Sequence, residues 1–245
     1  MGVRSALFEV HSYEVDAFDV LAAPVLGGFL QEVASLDAVA MGCGIDTLGA
    51  RGLTWVLARQ RIELAAPIRI GDTVEVATWP SGVDRLFALR EFRLSVAGRV
   101  VGEASTEWLV MDLASRRPVR PDRALAAEHR GPGERLLPAP PDLPVAEPSD
   151  SEHRFTIRYS DIDRNLHVTN TSYLAWALEA VPRETWRGAW LAAVDVRFLA
   201  ECAYGSQVLS RTRALSGGAF AHSILRQEDG KELARARTHW TPRAA

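Results

Sequence analysis

Apolar and polar positions along the 245-residue chain alternate between two periods, and the changes of period outline its elements. From Pro24 to Met41, Phe29, Leu30, Val33, Leu36 and Val39 recur at three- and four-residue spacings, which predicts a helix with one apolar side. Proline suits its first turn, and Gly42 and Gly44 end it. The period then falls to two, and strands are predicted at 53–65, 72–80, 86–97 and 100–112. In the third, Phe92, Leu94 and Val96 alternate with Glu91, Arg93 and Ser95, as in a strand with one buried face. Gly98 supplies the turn to the next. The same order returns later: a helix over 171–187 with Tyr173, Trp176 and Ala177 on one face, then strands at 191–201, 206–215, 218–227 and 232–241. Asp229-Gly230 is a hairpin signal between the last two. With a leading strand before each helix, the expected class is α+β, a long helix wrapped by an antiparallel sheet, twice over.

The halves align as a degenerate repeat. Asp16 and Glu32 fall 147 positions before Asp163 and Glu179; Gly71 and Thr78 fall 134 before Gly205 and Thr212; Gly98 and Trp108 fall 132 before Gly230 and Trp240. The division expected from this is an N-terminal half at 1–126, a linker at 127–150 and a C-terminal half at 151–245. Gly131-Pro132-Gly133 to Pro148, with Pro138, Pro140, Pro141 and Pro144, has the composition of an extended linker over the surface.

Candidate chemistry concentrates in the second half. In an extended segment Asp163, Asn165 and His167 would project to one side, placing a carboxylate, an amide and an imidazole on one wall. A short Asp-x-Asn-x-His is also what a polar turn capping the next helix looks like. Thr169, Asn170 and Thr171 are candidate caps, so the free N–H groups of that helix would lie beside the wall, able to polarise a carbonyl. At the matching positions the first half has Phe18 for Asn165, Val20 for His167 and Pro67 for Glu201, so it lacks the polar set.

The segment Tyr159-Ser160-Asp161-Ile162-Asp163, Asn165, His167-Val168, Asn170, Tyr173, Trp176 and Leu178-Glu179 resembles the signature of the acyl-acyl-carrier-protein thioesterases. A second element, Val196 to Phe198 then Leu199-Ala200-Glu201-Cys202 with Ser206 and Val208-Leu209-Ser210 following, is similar to that family's Glu-Cys element. Trp55 to Arg59, Trp108 to Asp112 and Arg116-Arg117-Pro118 add a third echo, so the resemblance spans most of the chain. Thr169 and Tyr159 depart from the usual Asn and Trp. The start at Val10-His11-Ser12-Tyr13 suits a bacterial version without a transit peptide.

The resemblance implies a tandem hotdog fold and hydrolysis of fatty acyl-acyl carrier protein to free fatty acid. Thioester hydrolysis needs a polarised carbonyl, a base and an apolar slot for the tail. Asn165 and the helix N-terminus are candidates for the oxyanion; Glu201, if burial raises its pKa, and His167 for the base and acid; Asp163 for orienting the imidazole or the amide. Cys202 is either a nucleophile paired with His167 or a small buried hydrophobe, and water activated by Glu201 and His167 is the preferred route. Phe18, Val20, Leu26, Phe29, Leu30, Val33 and Leu53 are the candidate acyl-binding residues, the first half acting as the non-catalytic partner that shapes the tunnel. Alternatives are an acyl-CoA thioesterase, a non-catalytic acyl-carrier binding module and, further off, a hotdog dehydratase.

Composition narrows the setting. A 47% hydrophobic content suffices for a packed core, and no apolar run approaches the ~20 residues of a membrane helix. Two cysteines, Cys43 and Cys202, form no disulfide framework and no metal-ligand spacing with the histidines, so no metal or other cofactor is expected, and a reducing cytoplasm fits. A formal charge of −3 without basic tails makes nucleic acid a poor partner. The expected partner is acyl carrier protein with its phosphopantetheine-linked chain, and the expected assembly is a monomer or homodimer. His222, in a strand, is expected at the surface or satisfied in the core rather than as a ligand.

Overall fold

The computed structural model describes residues 2–126, 131, 135–138 and 141–243. Pro132, Gly133 and Pro140 of the expected linker lie outside the described residues. The chain divides into two compact units, one of residues 1–22 and 26–140, the other of 23–25 and 141–245.

The first unit contains β1 (Arg4–Glu9), α1 (Ala23–Ala40) from Leu26 onward, α2 (Ile45–Gly49), β2 (Leu53–Leu64), β3 (Thr73–Asp84), β4 (Phe87–Val96), β5 (Arg99–Asp112), β6 (Pro118–Val119) and α3 (Pro121–Ala124). Its strands run antiparallel in the order β1-β3-β4-β5-β2, with β6 paired to β5. Helix α1 lies against this sheet: Phe29 stacks on Phe8 of β1 with centroids 4.2 Å apart, and Ala38 and Met41 pack against the buried cluster of Leu53 and Val110. Its buried stripe is Leu26, Leu30, Val33, Ala34 and Asp37. The expected apolar side therefore needs correcting in its second half, because Leu36 and Val39 are exposed. At 100° per residue Leu36 sits about one step off the middle of the stripe and Val39 nearly opposite it, and the last place in the stripe goes to Asp37. A carboxylate is tolerated there because Arg90 of β4 donates to it at 2.7 Å, with both side chains nearly buried.

The second unit contains β7 (Ser151–Thr156), a 3₁₀ turn (Tyr159–Asp161), α4 (Asn170–Glu179), α5 (Arg183–Gly188), β8 (Ala189–Phe198), β9 (Gln207–Ala214), β10 (Ala219–Arg226) and β11 (Glu232–Pro242). Its strands run antiparallel in the order β8-β11-β10-β9-β7. The single helix expected over 171–187 is two helices. Pro182 breaks it, since proline has no amide to donate and holds the preceding residue out of the helical region. The aligned position in the first unit is Ser35, and α1 runs on. Tyr173, Trp176 and Ala177 bury one face of α4 among Val196, Val208, Ile224 and Leu233, with Phe155 stacked on Trp176.

The repeat extends into the buried polar groups. In the second unit His222 of β10 sits between the hydroxyls of Thr212 and Thr238, 2.9 Å from each. In the first, Arg90 occupies the aligned position between Thr78 and Thr106: its guanidinium donates to the Thr78 hydroxyl at 3.2 Å, and its carbonyl accepts from Thr106 at 3.4 Å. Indole N–H groups of Trp108 and Trp240 donate to Thr106 and Thr238 alike.

The described parts of the linker do not lie loose over the surface. In the first unit Arg135 pairs with Glu107 at 2.7 Å, the Leu136 amide donates to the buried Glu91 carboxylate, and Leu137 is buried. In the second, Arg235 donates to the Leu143 carbonyl, the Ala146 amide donates to Ser223, and Leu143 and Ala146 are buried. Proline supplied the extended path, but the backbone groups it leaves free are met by sheet side chains.

Candidate active site

Residues 163–167 form a closed turn, not the extended wall expected from alternation. The Asp163 amide donates to the His167 carbonyl at 2.8 Å and the Leu166 amide to the Asp163 carbonyl at 3.0 Å, while Ile162 and Val168 bridge at its base. One carboxylate oxygen of Asp163 accepts the amides of Asn165 at 2.8 Å and His167 at 3.3 Å. An aspartate that can reach the amides that follow it stabilises a turn more than a strand, and this overrides the two-residue period. Leu166 takes the left-handed conformation that closes it, φ 62°.

The first unit makes the same turn. Asp16 accepts the amides of Phe18 at 2.8 Å and Val20 at 3.1 Å, Asp19 has φ 60°, and Val15 bridges Leu21. Asp163 thus performs the backbone task that Asp16 performs where no histidine follows.

Across from the turn lies the Glu201-Cys202 segment. It falls in a loop just beyond β8, which ends at Phe198 rather than at residue 201. The loop is fixed by the Leu199 and Ala200 amides, both donating to the Leu233 carbonyl, and by the Val168 amide donating to the Cys202 carbonyl. This brings His167 Nε2 to 3.4 Å from Glu201 Oε2. Their side chains are 37% and 43% exposed, so it is the imidazole, not the burial expected for Glu201, that the fold sets beside this carboxylate. Cys202 is buried, in one cluster with Tyr173, Val168 and Trp176.

Two residues not assigned a role from sequence hold this arrangement. Tyr173, buried on α4, is hydrogen-bonded to the Cys202 backbone; burial first, then the Cys202 and Glu201 charges, push its phenol above the usual range. Asp161 is buried before α4, where its carbonyl accepts the Thr169 amide and its carboxylate accepts Ser172 and Arg158. Burial pushes its carboxyl up, but the hydrogen bonds and charge of Arg158 with the Ser172 bond outweigh this and leave it below the ordinary value. A negative group at a helix N-terminus is also favoured by the helix dipole. The signal was legible: Asp161 stands three residues after Arg158 and just ahead of the helix. Thr169 is the N-cap of α4, without a side-chain cap bond, and Asn165 is exposed on the turn.

All seven candidate acyl-binding residues belong to the first unit. Val20, Leu26, Leu30, Val33 and Leu53 are buried, and Phe18 and Phe29 are half-buried.

Residues 3–128 match the acyl-ACP thioesterase N-terminal domain and residues 146–242 the acyl-ACP thioesterase C-terminal domain. The chain belongs to the acyl-ACP thioesterase family. A chloroplastic palmitoyl-acyl carrier protein thioesterase of Cuphea hookeriana is 30% identical over 261 residues, covering 96% of this chain and 61% of that protein. An oleoyl-acyl carrier protein thioesterase of Arabidopsis thaliana is 29% identical over 269 residues, covering 95% and 74%. The chain spans about three fifths of the length of the first curated relatives it matches. Among solved structures, an acyl-ACP thioesterase from Bacteroides thetaiotaomicron superposes with a TM-score of 0.89 at 25% identity, covering 98% of both chains. The 12:0-ACP thioesterase of Umbellularia californica shares the fold, TM-score 0.81 at 24% identity over 98% of both. The fold is accordingly the α+β hotdog type of this family, and among the described residues no helix is long and apolar enough to cross a membrane.

Proposed function

We propose that the protein hydrolyses the thioester of fatty acyl-acyl carrier protein, releasing the fatty acid and the free carrier thiol. The observation that carries this is the His167–Glu201 pair at 3.4 Å, positioned by a turn and a loop of one unit, in a member of a family whose relatives are named for this substrate. Water held between imidazole and carboxylate loses a proton to the pair as its oxygen bonds to the carbonyl carbon. The Asn165 amide and the first-turn amides of α4 are the proposed donors to the oxygen that becomes negative. The C–S bond then breaks, the electron pair leaves with sulfur, and His167 returns the proton to the thiolate.

In this proposal Asp163 shapes the turn and Cys202, buried in the core, packs without forming an acyl-enzyme. Residues 151–245 carry the chemistry. The N-terminal half, with Phe18, Val20 and Pro67 at the matching places, takes no part in bond cleavage, and Phe18, Val20, Leu26, Phe29, Leu30, Val33 and Leu53 are its proposed acyl-binding residues. We place the protein in the cytoplasm, where its two thiols, unpaired in the structure, stay reduced.

The test is thiol release from acyl-carrier proteins and matching acyl-CoAs by wild type, His167→Ala and Cys202→Ala. The expected result is carrier-linked turnover that falls at least 100-fold without His167 and stays within fivefold without Cys202. Turnover of CoA esters alone would replace the substrate, and acyl binding without release would replace the reaction.

A further inference from the structure

Leu166 occupies the left-handed position of the 163–167 turn and is 78% exposed. Leucine is a poor choice there on both counts. Its Cβ crowds the backbone in that region, which Gly, Asn and Asp tolerate better, and its side chain is left in water. The aligned turn of the first unit provides an internal control: Asp19 stands at the same conformation, φ 60°, and the turn forms equally well. Nothing in the fold requires leucine, so strain and exposed apolar surface coincide beside the proposed catalytic histidine, where such outliers point to use.

Leu166 has company. Tyr159 is 87% exposed, Tyr204 69% and Leu199 42%. The loops that carry them are tied together by the Ile157 amide to the Ser206 carbonyl at 3.1 Å, the Gly205 amide to the Ile157 carbonyl at 3.3 Å, and the Val168 amide to the Cys202 carbonyl at 3.3 Å. These bonds tie the backbone segments that carry the four residues to the turn of His167 and the loop of Glu201.

We propose that Leu166, with Tyr159 and Tyr204, forms a rim that receives the pantetheine arm of the thioester, the stretch between its sulfur and its phosphate. This rests on the function proposed above. A carbonyl held at His167 leaves its sulfur, and whatever the sulfur carries, passing over the residues next to His167. The arm alternates alkyl segments with amides, and a leucine beside two phenols offers it apolar surface together with hydroxyl partners. The arm is common to carrier-linked and CoA-linked substrates, so the rim recognises both.

Leu166→Asn keeps a residue that tolerates the left-handed position and removes the apolar contact, so the thermal midpoint should not fall. One acyl group is presented as a carrier thioester, a CoA thioester and a p-nitrophenyl ester, which lacks the arm. The expected result is a KM at least fivefold higher on both thioesters, with kcat changed less than twofold and a loss on the ester at least fivefold smaller. Equal loss on all three would place the acyl chain, not the arm, on Leu166. Loss on the carrier substrate alone would place the carrier's own surface there, and no loss would remove the rim from recognition; each overturns the proposal. Methyl NMR signals of Leu166, titrated with pantetheine, read the contact without turnover. Shifts in a protein that cleaves none of the substrates would sink the proposed reaction and keep the rim, whereas unmoved signals would sink the rim.

Discussion

His222 gives the second unit a specific sensitivity to acid. The imidazole is fully buried between two threonine hydroxyls, and burial lowers its pKa from 6.5 to about 3. In the folded protein it stays neutral down to that value, donating from one nitrogen and accepting at the other. In the unfolded chain it takes up a proton near pH 6.5. Between these values the unfolded state holds more protons than the folded one, so stability is fully present above pH 6.5 and is lost as the pH falls toward 3. Because the folded site stays unprotonated throughout, lowering the pH from 7 to 5 costs about 2 kcal/mol from this group alone. Urea unfolding at the two pH values, for wild type and His222→Gln, measures it. The chain has six histidines, but the contributions of the other five cancel when the pH effect on the variant is subtracted from that on wild type. The expected remainder is a wild-type loss larger by about 2 kcal/mol. A remainder under about 0.5 kcal/mol would mean that the buried imidazole accepts a proton in the folded state, contrary to the low pKa that burial imposes.

Two further substitutions test the polar framework. Asp37→Ala strands the nearly buried Arg90 guanidinium and is expected to cost about 3–5 kcal/mol in urea unfolding, far more than an Ala replacement of an exposed acid such as Glu32. Asp163→Ala removes the acceptor for two turn amides and should lower kcat at least tenfold on the acyl-carrier substrate, while Asp163→Asn, which keeps an oxygen in place, should stay within threefold; equal losses would mean the charge acts on the reaction directly.

Strands β3 and β9 were legible because each buries one face over most of its length, so alternation reports them directly. Strands β4 and β10 are buried on both faces over Leu89–Phe92 and Ala219–Ile224, and Glu91, expected to face outward, is buried where Ser81 and Ser105 donate to its carboxylate. The repeat was legible because Gly98, Gly230, Trp108 and Trp240 hold equivalent turns and packing positions. The helix over 171–187 misled because its apolar face continues past Pro182, and periodicity carries no information about a missing amide. Leu36 and Val39 misled for the converse reason: the buried stripe of α1 ends on Asp37, whose Arg90 partner lies 53 residues away in sequence. At the candidate site, residue types were readable and geometry was not. Asp163, Asn165 and His167 suit a strand by spacing, and only the bonding of the Asp163 carboxylate to its own backbone makes a turn. That Glu201 meets His167 depends on three amides, of Val168, Leu199 and Ala200, whose partners no local pattern reveals.

The twin turns at Asp16 and Asp163 separate the shape of a loop from its chemistry. In both, the leading aspartate holds the path from inside, so the residues two and four places on contribute backbone groups, not side chains, to the hydrogen bonds of the turn. Side chains at those places can be exchanged, phenylalanine and valine in one copy, asparagine and histidine in the other, with the backbone unmoved. After a duplication, one copy of such a loop is free to lose its reactive groups, or to acquire them, without losing the hydrogen bonds that close the turn, which makes it a ready place for new chemistry to be tried.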